Sequence, residues 1–108
     1  MKIDLGQLEF IEPNLRMMAL EIEKRFGEKT VTSLYRIGDK GVHGSLPLRG
    51  IDLRCRTVRH GEEVMKFVDE RWTYDFTRPL MKCCIYHDAG QGSHLHLQVH
   101  PNTRRKEI

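Results

Sequence analysis

Two histidines stand one residue apart in Ser93-His94-Leu95-His96-Leu97-Gln98-Val99-His100, and a third, His43, shares the loop Val42 to Asp52 with an aspartate at its end. Two imidazoles and a carboxylate can hold a zinc ion and leave its fourth position open to water. That donor set belongs to hydrolytic zinc sites rather than structural ones. The rest of the chain bears on whether such a site can be assembled.

The elements that would position these residues follow from periodicity. Leu15, Met18, Ala19, Ile22 and Phe26 recur at helical spacing, so Asn14 to Phe26 is expected as a helix started at Pro13-Asn14 and stopped at Gly27. Met17 and Met18 are expected in or near the core. Lys29 to Ile37 is rich in β-branched and aromatic residues and is expected as a strand, followed by the turn Gly38 to Gly41. Ile51 to Cys55 alternates and suits a second strand. Glu62 to Tyr74 is expected as a second helix, with Gly61 before it, Glu62 and Glu63 at its positive end, and Val64, Phe67, Val68 and Trp72 facing the core. Met81 to Tyr86 fits a central strand and His94 to Val99 a last one. This order predicts an α+β fold, two helices on one face of a small, mainly antiparallel sheet.

Period-two geometry turns His94, His96 and Gln98 to one face of the last strand and Leu95, Leu97 and Val99 to the other, into the core. The two imidazoles therefore share a face. His100 lies further along and is expected at the surface. Asp52, set between Ile51 and Leu53, needs a partner if it faces inward; a cation serves, and Arg49 or Arg54 is the plainer candidate.

Composition sets bounds. A chain of 108 residues suits a single domain spanning 1–108. The net charge of +3 is mildly basic, and Arg104-Arg105-Lys106 reads as a solvated tail; no nucleic-acid partner is expected. No apolar run reaches membrane-span length and no Sec signal is evident, so neither membrane insertion nor ordinary secretion is expected. Cys55, Cys83 and Cys84 form no Cys-x-x-Cys pair, which excludes a four-thiolate zinc site. They read as buried free thiols in a reducing compartment. Oligomeric state is not legible.

Val31-Thr32-Ser33-Leu34-Tyr35-Arg36 resembles the Thr-Ser-x-Tyr-Arg strand of the M15 zinc D-Ala-D-Ala peptidases. His43 with Gly50-Ile51-Asp52 resembles, in altered form, their Ser-x-His-x-x-Gly-x-Ala-x-Asp motif, and His94-Leu95-His96 resembles the strand bearing their last zinc histidine. The resemblance runs over about Lys29 to Pro101, is closest to compact phage-encoded members, and extends to the hedgehog-like α+β fold. It implies that His43, Asp52 and His96 bind Zn2+, that His94 stabilises or protonates the tetrahedral intermediate, and that Arg36 meets a substrate carboxylate or carbonyl. The implied activity is hydrolysis of peptidoglycan peptides by a zinc-bound water, in a protein made in the cytoplasm and delivered to the cell wall with the help of a phage. Two departures stand out. The His43-to-Asp52 interval is longer than the family's, the excess lying in Ser45-Leu46-Pro47-Leu48. Ser93 stands where many members carry a carboxylate base.

Two other readings of these residues stay open. One is a domain that keeps the metal without catalysis, as a structural or binding module of a phage. The other is a histidine-triad nucleotide hydrolase, since Gly92-Ser93-His94-Leu95-His96-Leu97-Gln98-Val99 resembles that signature; it leaves His43, Asp52 and the Tyr35-Arg36 strand unexplained.

Overall fold

The computed structural model describes residues 11–35, 49–88 and 93–106. Helix α1 runs over Pro13–Phe26. Its N-cap is Glu12, whose carboxylate accepts from the Asn14 and Leu15 amides at 3.0 and 3.2 Å, with Pro13 seated where no amide is needed. Gly27 ends it at φ 92°, a backbone conformation that costs glycine little. Leu15, Met18 and Ile22 are wholly buried, whereas Met17 points outward, half-exposed.

Strands β1 (Val31–Tyr35) and β2 (Gly50–Arg54) precede helix α2 (Val58–Arg71). After α2 come β3 (Trp72–Thr73), β4 (Cys84–Asp88), β5 (Ser93–Gln98) and β6 (Arg104–Arg105). The main sheet has the order β1-β2-β5-β4, and every neighbouring pair is antiparallel. A second ribbon pairs β3 with β6. The fold is α+β, as expected.

Alternation along the strands places the core. Ile51 and Leu53 of β2, Leu95 and Leu97 of β5, and Cys84 of β4 are buried together with Leu15, Met18, Ile22, Val64 and Val68 of the helices. Burying side chains of this size contributes about 1.5–3 kcal/mol each. The opposite sheet face is left to Asp52, Arg54, His94 and His96.

Three local expectations are corrected. Helix α2 starts at Val58, not Glu62, because the Thr57 hydroxyl caps it by accepting from the His60 amide at 3.2 Å. Glu62 and Glu63 therefore fall beyond the first turn. Gly61 lies inside the helix and is buried there: a Cβ would run into the Tyr86 ring, within 2.9 Å of Cε2. The strand expected from Met81 begins only at Cys84, because Thr77 to Lys82 are exposed. All three cysteines are buried free thiols, and burial, helped by Asp69, pushes the Cys83 thiol up to about 12. Trp72 is buried, and its indole N–H donates to Glu21 at 2.8 Å, tying β3 to α1.

Candidate functional site

The register of the sheet builds a polar cluster. Asp52 lies directly opposite His96, Arg54 opposite His94, and His87 of β4 opposite His94 on its other side. Residues opposite one another in an antiparallel pair share a face. Three imidazoles and one carboxylate thus converge on the sheet surface away from the core.

The closest contact joins His96 Nδ1 to Asp52 Oδ1 at 3.1 Å. His94 Nε2 stands 3.9 Å from Asp52 Oδ2. The His87 ring lies 5.4 Å from that of His94 and 5.9 Å from that of His96, centre to centre. Burial raises the Asp52 carboxyl above its ordinary value, against the opposing pull of His94 and His87. Burial also lowers the His96 imidazole, against the pull of its contact with Gln98.

Gln98 decides what His96 can do. Its amide N–H donates to the Lys82 carbonyl at 2.7 Å, which fixes the amide orientation and turns Oε1 toward His96 Nε2, 3.2 Å away. Both ring nitrogens of His96 therefore face an oxygen acceptor. A neutral imidazole carries one N–H and can satisfy one of them. An imidazolium would satisfy both, but burial disfavours it here. A cation between Nδ1 and Asp52 removes the conflict: Nε2–H donates to Gln98, while Nδ1 and the carboxylate both offer lone pairs. Metal-bound histidines commonly hold their second nitrogen in this way. Two donors each 2.0–2.1 Å from a tetrahedral zinc lie about 3.3 Å apart, close to the observed separation. The donor chemistry of the pair fits the ion.

Among the described residues, no group of three or more His, Cys, Asp or Glu side chains is arranged to hold a metal ion. Asp52 and His96 are brought together, with His94 at hand. His43 and Arg36 lie outside the described residues. Among the described residues, the Asp52 carboxylate is seen in contact with the imidazoles of His94 and His96.

Sequence reasoning gave Gln98 no role beyond its face, and the strand it expected there stopped at Tyr86, short of His87. The alternation His94, His96, Gln98 was the available signal for the first; cross-strand register, invisible in one sequence, brings in the second. His100 is also misjudged as plain surface. It is half-buried, accepts the Asn102 amide at Nδ1 (3.0 Å), and approaches Asp75 at 3.8 Å, in a separate network.

No protein-family model matches this chain, and neither does any curated protein or solved structure. Among the described residues no helix is long and apolar enough to cross a membrane.

Proposed function

We propose that Asp52 and His96, completed by His43, hold a zinc ion, and that the protein is a zinc-dependent hydrolase of peptides of the peptidoglycan type, related to the M15 peptidases. The observation that carries this reading is the double-acceptor environment of His96: a buried imidazole facing Asp52 on one nitrogen and an oriented Gln98 carbonyl on the other. Zinc bound there would lower the pKa of its water to about 7 and polarise the scissile carbonyl.

The remaining work falls to the chain's own groups. Gln98 holds His96 in the tautomer that presents Nδ1. His94, two residues before His96 on β5 and 3.9 Å from Asp52, would hold or deliver a proton at its Nε2. His87, beside both imidazoles, adds a second group able to carry a proton near the site. Arg36, by the family resemblance, would orient the substrate's carboxylate or carbonyl.

The test is the metal content of the purified protein together with that of His96→Ala. One equivalent of zinc in the parent, lost in the variant, supports the reading; no zinc in either after supplementation refutes it. His94→Ala is expected to keep most of its zinc while peptide cleavage falls by about 10²–10⁴-fold. A parent that binds zinc and cleaves no D-Ala-D-Ala peptide is a metal-retaining binding domain instead.

A further inference from the structure

Beside the cluster, at the end of β2, lies a cleft of about 460 Å³ lined by Glu28, Lys29, Thr30, Arg54, Cys55, Arg56, Thr57 and His60. Three of these side chains are cations. None makes an ion pair with a carboxylate among the described residues; Lys29 instead donates to the His60 ring at Nε2. Burial, then the Lys29 charge, lowers the His60 pKa, which favours the neutral form of the ring beside Lys29. The first turn of α2 opens at the same place and adds its positive end.

Among the described residues several cations outside the cleft find acidic partners: Arg59 with Glu63, Arg78 with Asp75, Lys82 with Asp69, Arg105 with Glu21. Lys29, Arg54 and Arg56 do not, and they gather around one concavity. Three cations against the single carboxylate of Glu28 leave the lining with a net positive charge, which attracts an incoming anion. The lining is too polar for an apolar ligand. Guanidinium pairs suit the two oxygens of a carboxylate or of a phosphate.

The cleft is also joined to the site. Arg54 lies directly opposite His94 and two residues beyond Asp52 on the same strand face. A group bound at Arg54 and Arg56 would therefore belong to a molecule lying across His94. We infer that this cleft is an oxyanion subsite that holds a carboxylate of the substrate, so that the preferred peptides carry an acidic residue away from the scissile bond. As a statement about substrate, this rests on the hydrolase reading above; as a statement about binding, it stands by itself.

The experiment measures binding by titration calorimetry, using a pentapeptide ending in D-Ala-D-Ala. One form carries a free glutamate carboxylate and the other has that carboxylate amidated. The free acid is expected to bind roughly tenfold tighter, the effect of one charge-assisted contact. The double variant Arg54→Gln/Arg56→Gln, in which both side chains are exposed, is expected to bring the two forms to parity without loss of folding. Arg59→Gln removes one charge from the first turn of α2, close by but outside the cleft lining, and is expected to keep the preference. Inorganic phosphate is expected to compete with the free acid, showing that oxyanion chemistry suffices. Equal binding of the two peptides overturns the inference, as does a preference that survives in the double variant or vanishes equally in Arg59→Gln. If the preference stands while neither peptide is cleaved, the cleft is upheld and the hydrolase reading falls.

Discussion

Two aspartates, Asp52 and Asp75, sit in polar clusters of opposite character. Asp75 is 2% exposed, and its oxygens accept from the Thr77 amide (3.0 Å), the Thr77 hydroxyl (2.7 Å), Arg78 Nε (2.9 Å) and Asn102 Nδ2 (3.1 Å). These donors, Thr77 foremost, hold its carboxyl well below the usual carboxylate range. Asp52 sits among imidazoles instead, and burial raises its carboxyl. The first cluster supplies every hydrogen its carboxylate can use; it closes a turn and needs nothing more. In the second, His96 faces two acceptors with one hydrogen to give. A cluster whose donors match its acceptors holds a fold together, whereas a carboxylate and an imidazole side by side are a pair that a cation could also join.

The sharpest way to break this contrast is to remove each aspartate in turn. Asp52→Ala is expected to weaken zinc binding by more than about a hundredfold, exceeding the loss typical of an outer partner, while the metal-free Tm holds or rises. Asp75→Ala is expected to do the reverse, lowering Tm by several degrees with zinc affinity unchanged, as thermal melts in chelator and zinc titrations would read. If both variants lose stability alike and neither changes zinc binding, the two clusters are the same kind of thing.

A smaller effect is expected at Gln98. Replacing it with Leu removes the oxygen facing His96 Nε2 and should lower zinc affinity about 10–100-fold. Gln98→Glu keeps an acceptor there and should retain more of the affinity than Leu does. Equal affinity in the parent and the Leu variant would show that Gln98 does not set the His96 tautomer.

The smallest effect is on pH dependence. Because the Asp75 pKa is depressed on folding, its contribution is fully present above the ordinary aspartate value of 3.8 and is lost as pH falls through the lower folded value. Asp75→Asn should therefore lower stability at neutral pH and flatten the acid limb of the metal-free stability curve, followed by denaturant unfolding between pH 2 and 6. An unchanged acid slope would remove Asp75 from the account.

Much of the frame was legible because it rests on periodicity. The stripe Leu15-Met18-Ile22 and the alternation Leu95-Leu97-Val99 each name their buried face directly, and the second puts His94, His96 and Gln98 together on the other. The start of α2, set by the Thr57 cap, is a local signal that was passed over; the rest of what failed needed a partner from elsewhere in the chain. Gly61 reads as a helix boundary until the Tyr86 ring is seen to occupy the space a side chain would take. The β3–β6 ribbon is two residues on each side, too short for any pattern, yet it joins the chain near Asp75 to the segment bearing Asn102. His87 and Arg54 flank His94 only because of strand register, a property of pairs of strands.

That register has a further consequence. Along β2, Ile51 and Leu53 are buried and Asp52 between them faces outward; along β5, Leu95 and Leu97 are buried and His96 between them faces outward. Sliding either strand by one residue would carry the leucines and the isoleucine into water and turn Asp52 or His96 inward. Slippage that would misalign the cluster is thus opposed by several fully buried aliphatic side chains. The hydrophobic layer acts as the ruler that spaces the polar one, and the two faces of the sheet cannot drift apart in evolution or in thermal motion without being felt on both sides.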